Sequence, residues 1–363
     1  MSSGLLHADR ERHLLNTTQS GPASGTRQWR TVLIVAVLVL GSCAAALLPL
    51  LYPSAFSFVS SRMLGVNDLL GIAAGNPVRV KGIVTFVDSA EGFYYLQDED
   101  AGVRLRSADS VPMPIVGDEI PIAATIEEAH DAKIGGRTIT LRDVHIERIA
   151  RDQLPPARLR PLTELFGDTG AHEAIRVQTS GIVRAARRDG ARMLLEIGDN
   201  GRRVPVVVLD NGVLTRDSLL DARITVRGVV QVEYNPWEES FAHNNDFGPL
   251  LQVARAEDVQ LIERTPTQIP LAPSVRALIT EPHWVALGHR VRIHGVVVRA
   301  ETPQVLLIDN GGIVMPVETP HAREYAPGDS IEALGWPTPR GFTVTLQRAE
   351  VKGIDVSLAQ LGA

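Results

Sequence analysis

The stretch VRVKGIV, Val78 to Val84, returns in altered form as IRVQTSGIV at Ile175 to Val183 and as VRIHGVV at Val291 to Val297. In the first copy Val78 and Val80 alternate with Arg79 and Lys81; in the third, Val291 and Ile293 flank Arg292. A period of two places the apolar side chains on one face of a strand. A glycine interrupts each copy, at Gly82, Gly181 and Gly295. Glycine inside a strand marks a bulge or a sharp bend, as where a strand turns the corner of a barrel.

The surroundings repeat with it. FYYLQDEDAGVRLRS (Phe93 to Ser107), MLLEIGDNGRRVPVVV (Met193 to Val208) and VLLIDNGGIVMPVE (Val305 to Glu318) each read as strand, acidic-glycine turn, strand. Such turns need residues that tolerate positive φ. A fourth strand is expected at GDEIPIAATI from Gly117, DARITVRGVV from Asp221 and GDSIEALGWP from Gly328. A fifth is expected at RTITLRDVHIERI from Arg137, LLQVARAEDVQLI from Leu250 and FTVTLQRAEVKGI from Phe342. A repeat of about 100 residues is far longer than a solenoid unit.

A short helical phrase precedes each unit: VNDLLGIAAG at Val66, PLTELFGDTG at Pro161 and SVRALITEPHW at Ser274, with Asn67 and Thr163 in cap-region places. Proline-rich connectors, LPPARLRP at Leu154 and TPTQIPLAP at Thr265, resist strand formation and separate the units. The expected architecture is mainly β: three tandem five-stranded barrels over 66–152, 161–264 and 274–357.

Five strands with a bent, glycine-interrupted first strand fit the OB order, a partly open Greek-key barrel. The pattern VRVKGIV…YYLQDEDAGVRL…GDEI resembles OB-like repeats outside the membrane in some bacterial sensor histidine kinases and related membrane signalling proteins. The resemblance covers Asn67 to Ile354 and implies an extracytoplasmic sensory or interaction region. The chain departs from that family in reaching Ala363 without a kinase core.

TVLIVAVLVLGSCAAALLPLLY, Thr31 to Tyr52, has 22 residues and no charge. As a helix it spans a hydrocarbon core of roughly 30 Å. Arg10, Arg12, Arg27 and Arg30 precede it, and only Arg62 follows before Arg79. The positive-inside bias predicts a signal anchor with residues 1–30 as a flexible cytoplasmic tail and the barrels outside the cytoplasmic membrane. Cys43 reads as a small apolar residue within that span.

The chain has 363 residues, a formal net charge of -6 and 5% aromatic residues. An acidic total and few stacking rings argue against a general nucleic-acid binder, so no nucleic-acid partner is expected. The motifs of dinucleotide-binding folds, P-loops, zincins and serine hydrolases are absent, and no cofactor is expected. Tyr94 and Tyr95 could imitate a stacking face, but alternation buries one of them. His294, beside Gly295, reads as a polar residue on a strand face, while His130 and His243 fall in the hairpins joining strands four and five.

The richest loop is EYNPWEESFAHNNDFGP, Glu233 to Pro249. Glu238, Glu239, His243 and Asp246 offer carboxylate and imidazole donors to a divalent cation, at a spacing that matches no metal loop; the alternative is a solvated hairpin tip. Trp237 and Phe241 sit in the same loop, and Trp336 and Arg340 stand at the matching place in the third unit. Together with His243 and Asp246 they form a candidate ligand-binding set. Two readings of the tryptophans stand: a stacking platform for a sugar or peptide, or plugs that close a barrel or pack on its neighbour.

The leading expectation is a non-catalytic, single-pass membrane scaffold for interaction or sensing, held by Thr31 to Tyr52, with an envelope protein as partner. The alternatives are a small-ligand or oligosaccharide binder, and the input region of a truncated or split sensor kinase.

Overall fold

The computed structural model describes residues 62–99, 101–107, 112–132, 136–146, 150–151, 153–166, 172–199, 201–210, 212–234 and 247–354. Its first barrel is built from β1 (Pro77–Asp88), β2 (Phe93–Gln97), β3 (Gly102–Ser107), β4 (Asp118–Ala132) and β5 (Gly136–Ile146). The strands pair in the order β1-β2-β3-β5-β4, and β4 returns to β1 to close the ring. β3 and β5 run parallel and the other pairs antiparallel. A short β6 (Ala150–Arg151) extends β4.

The second barrel repeats this order. After β7 (Arg158–Leu159) come β8 (Arg176–Asp189), β9 (Arg192–Asp199), β10 (Arg202–Leu209), β11 (Arg223–Tyr234) and β12 (Phe247–Val253), with helix α1 (Arg216–Leu219) before β11. β8 closes on β11, and β10 and β12 are the parallel pair. The third barrel, closed in the same order, comprises β14 (Val291–Thr302), β15 (Val305–Asn310), β16 (Ile313–Glu318), β17 (Ser330–Arg340) and β18 (Thr343–Gly353). Strand order, the parallel third and fifth strands, and closure by strand four on strand one define tandem OB-type barrels.

Alternation fills each barrel. Val78, Val80, Leu96, Leu105, Ile120 and Ile122 meet in the first core; Val177, Leu195, Ile197, Val206 and Ile224 in the second; Val291, Ile293, Leu306, Ile308 and Leu346 in the third. The shared glycine is a contact device. A Cβ on Gly82 would stand 2.8 Å from Leu96 Cγ, and one on Gly295 would stand 2.9 Å from Ile308 Cδ1. The register shifts lie a little beyond it, between Val84 and Phe86, Val183 and Ala185, and Val297 and Arg299. The expected bend at the glycine is therefore a close strand crossing, and the bulge follows it.

Three local expectations differ from the structure. The stretch LLQVARAEDVQLI is two strands, because a 3-10 turn at Ala256–Asp258 separates β12 from β13 (Val259–Glu263), which pairs with β11. Asn67 lies within the 3-10 turn Asn67–Gly71, and Thr163 within Leu162–Phe166, so neither caps from outside. Ser274 does cap: its Oγ accepts from Ala277 N at 3.1 Å and starts α2 (Val275–Thr280), which α3 (His283–Ala286) follows. No helix among the described residues is long and apolar enough to cross a membrane; Thr31 to Tyr52 and Cys43 lie outside the described residues.

Candidate ligand face and barrel junctions

The outer surface of strands two and three is the usual ligand face of an OB barrel. Register identifies its members in each copy. Gly82, Gly181 and Gly295 pair with Ile120, Ile224 and Ile331, so Thr125, Val229 and Trp336 hold one equivalent place on strand four. Opposite the bulge, Tyr95, Glu196 and Leu307 hold one equivalent place on strand two.

In the first barrel this face is aromatic. Phe86, Phe93 and Tyr95 lie 5.8 to 6.1 Å apart between ring centroids, and the Arg104 guanidinium lies 4.6 Å from the Phe93 centroid. The face is covered: Val229 and Ala174 of the second barrel complete its apolar cluster. Arg176 N donates to Gln97 Oε1 at 2.9 Å, and Arg192 pairs with Asp88 at 2.7 Å. A Cβ on Gly102 would overlap the Ala174 carbonyl, so the neighbouring barrel requires glycine there. Both tyrosines are buried, Tyr94 inside the barrel and Tyr95 beneath the second one. Burial raises the Tyr94 phenol above its ordinary range.

The equivalent face of the second barrel is ionic and is covered by the third. Arg348 grips Glu196 with two bonds, Nε to Oε1 at 2.8 Å and Nη2 to Oε2 at 2.7 Å. Arg203 stands 3.7 Å from the same carboxylate. Burial pushes the Glu196 carboxyl up, but Arg348, with Arg203 and Arg184 behind it, outweighs that and holds it below the usual value. Arg348 takes φ 48°, opposite the bulge between Leu334 and Trp336. Arg184 Nη1 donates to Gln347 Oε1 at 2.8 Å and to Thr338 Oγ1 at 3.3 Å. Beside them the buried Asp221 accepts from Trp336 Nε1 at 2.9 Å and from Arg290 N at 3.2 Å. The Asp221 carbonyl lies 3.0 Å from His289 Nδ1. The hydrogen bond to Asp221 raises the His289 pKa, and burial opposes it without cancelling it.

Among the described residues, no further barrel covers the third barrel's equivalent face. Leu307, Val314, Pro316 and Val298 lie on it, with Val314 45% and Val298 38% exposed.

Of the candidate ligand set, the structure describes Trp336 and Arg340. Trp336 is only 2% exposed and plugs the junction between barrels two and three, so it offers no open stacking surface. Arg340 is exposed at the end of β17, near the fully exposed Phe342. Trp237, Glu238, Glu239, Phe241, His243 and Asp246 lie outside the described residues. His294 Nε2 lies 3.1 Å from Glu332 Oε2 on the surface of the third barrel, and His130 lies on β4 opposite Thr138. No cluster of three or more His, Cys, Asp or Glu side chains suited to a metal occurs among the described residues. Sequence reasoning missed the junction residues Glu196, Asp221, Arg184 and Arg348. The signal was present: β2 is buried at all five positions, and β9 embeds Glu196 in an apolar run, as expected where both faces of a strand are covered.

No protein-family model and no curated protein matches the chain. Solved structures do. A replication protein A heterotrimer bound to ssDNA matches with 9% identity over 78% of this chain and 95% of its own, at a TM-score of 0.26. The Ifi202 HINa domain in complex with 20bp dsDNA matches with 8% identity over 54% and 99%, at 0.24. The Stn1-Ten1 complex of S. pombe matches with 14% identity over 25% and 78%, at 0.20. None of these three is a sensor kinase. The expectation of no nucleic-acid partner is corrected here, because the barrels have the OB topology, whose strand-two and strand-three face is suited to oligonucleotides as well as to other ligands. The physical reason is that net charge and aromatic content are averages over the chain. They do not describe a single face.

Proposed function

We propose that the chain is a non-catalytic interaction scaffold: a stack of OB barrels that uses its first two ligand faces internally and presents the third. One observation carries this reading. The strand-two and strand-three faces of barrels one and two are buried under the next barrel, while the face of Leu307, Val314 and Pro316 is open. The occupant follows from continuity with the two internal junctions. In both, the β-surface of another barrel covers this face, with Ala174 and Val229 at the first junction and Arg348 at the second. The third face is therefore assigned to a partner protein with a comparable β-surface. Anchoring by Thr31 to Tyr52, with the barrels outside the cytoplasmic membrane, belongs to this proposal and rests on the charge-free span and its flanking arginines.

A photocrosslinker at Val314 of the full-length chain, with another at the exposed Val213 as control, tests it in native cells. The expected result is one protein joined at Val314 and not at Val213. That protein, once purified, should lose binding to the Leu307→Asp/Val314→Asp variant. Crosslinks only to a second copy of the chain, to nucleic acid, or equally from both positions would overturn the assignment. A fluorescent single-stranded oligonucleotide bound by the wild type and lost in the same double variant would also replace the protein partner with nucleic acid.

A further inference from the structure

A cleft of about 290 Å³ opens at the junction of barrels two and three, lined by Arg184, Arg216, His321, Trp336, Arg348 and Glu350 among others. It is near the small end of the range for small-molecule sites. Its cations are unevenly paired. Arg184, Arg203 and Arg348 bring three guanidinium groups to this junction, and Glu196 is the carboxylate that Arg348 and Arg203 share. Glu318 and Asp199 act on these guanidinium groups only from a distance, and neither lies within ion-pair distance of Arg184. The other groups at the cleft are already engaged: Glu350 lies 3.5 Å from Arg290, and His321 pairs with Glu324 at 2.8 Å.

Arg184 is the telling residue. It is only 5% exposed, it holds neutral partners in Gln347 and Thr338, and no carboxylate lies within ion-pair distance of it among the described residues. Its buried Nε has no hydrogen-bond partner among the described residues. Burial, the largest influence, lowers its pKa to about 10. A buried cation without an anion is costly, and buried guanidinium groups in proteins are normally paired. Arg184 occupies the bulge between Val183 and Ala185, which turns a strand residue out of the barrel toward the cleft. Arg216, at the start of α1, adds a half-exposed guanidinium at the rim, 3.7 Å from the solvent-exposed carboxylate of Asp217.

We infer that this cleft is a binding site for a small tetrahedral oxyanion, a phosphate or sulfate group, seated against Arg184 and approached by Arg216. Planar guanidinium donors suit such a group through paired, charge-assisted bonds. The two barrels supply opposite walls, so the bound anion ties them together.

The test is isothermal titration calorimetry of the full-length chain in detergent with inorganic phosphate, pyrophosphate and sulfate, against sodium chloride at matched ionic strength. The expected result is saturable one-site binding with a rise in Tm that chloride does not reproduce. Arg216→Ala, at the exposed rim, should keep the fold and weaken binding about tenfold, the value of one charge-assisted contact. Arg184→Gln should abolish binding, and if that variant does not fold, Arg216→Ala alone decides. The same titration with phosphatidylcholine nanodiscs, with and without phosphatidylglycerol, separates a free anion from a lipid headgroup as the source. Absence of saturable binding to every one of these probes, or binding unchanged in Arg216→Ala, overturns the inference.

Discussion

The two junctions are built at equivalent places in one fold and held by opposite chemistry. Where the first barrel puts Tyr95 on strand two, the second puts Glu196; where the second barrel answers with Val229 on strand four, the third answers with Trp336. The first junction is an apolar cluster with an ion pair at its margin, Arg192 with Asp88. The second has its ions at the centre and its largest ring hydrogen-bonded to a buried carboxylate. An OB face is thus a docking place whose geometry is fixed by the barrel and whose chemistry is free to change. The change has consequences: an apolar junction loses stability in proportion to the contact removed, whereas a buried ionic one fails abruptly when a single partner is lost.

Glu196→Ala should therefore be the most damaging single change. It strands Arg348 and Arg203 without their shared carboxylate, and breaking a buried pair from one side costs about 3–5 kcal/mol. The pair removed together should behave differently. Glu196→Ala with Arg348→Met should recover much of the loss in a urea denaturation series, because the stranded charge goes with its partner. Equal losses in the single and double variants would break the comparison and reduce the second junction to simple contact.

The barrels were legible in the sequence and the junctions were not. Alternation in VRVKGIV and its copies, acidic-glycine turns and proline-rich connectors are local signals, and each reports the side of a strand that faces its own core. The strand topology follows the expected OB order in all three copies. What sits on the outside depends on residues far away in sequence. Glu196 meets Arg348 across 152 positions, and Trp336 meets Asp221 across 115. An outward glutamate on a strand reads as solvated unless its neighbour is known. Trp336 carried two readings, platform or plug, and only the position of the second barrel decides between them. The apolar runs FYYLQ and MLLEIG did carry the hint, since strands wet on one side do not run apolar on both.

Val229→Ala probes the other side of the comparison. Two methyl groups leave a fully apolar cluster beside Phe86, Phe93 and Tyr95, which costs about 2 kcal/mol by transfer and cavity together. The loss should be the same at pH 6 and pH 8 and insensitive to salt, since no ion is exposed or freed. A marked salt dependence of this variant in the same denaturation series would show that the marginal pair Arg192–Asp88 holds the first junction instead.

The smallest expected effect is a dependence on pH confined to the second junction. His289 lies between Asp221, whose carboxylate oxygen is 3.4 Å from Nδ1, and Glu263, 3.6 Å from Nε2. Arg290 and Arg223 complete the charges around it, each in contact with one of those acids. The bond to Asp221 raises its pKa despite burial, so the folded protein holds a proton that the unfolded chain gives up more readily. The resulting stabilisation is present in full below the unfolded value of about 6.5 and fades as pH rises through the higher folded value. Hydrogen exchange reads this locally. Protection factors in β17, the strand of Trp336, should fall as pH is raised above the unfolded value of about 6.5 while those in β2 stay level. In His289→Asn the β17 trend should flatten. If β2 and β17 lose protection in parallel, the proton is stabilising the whole stack, and the contrast between an apolar and an ionic junction does not extend to how each responds to pH.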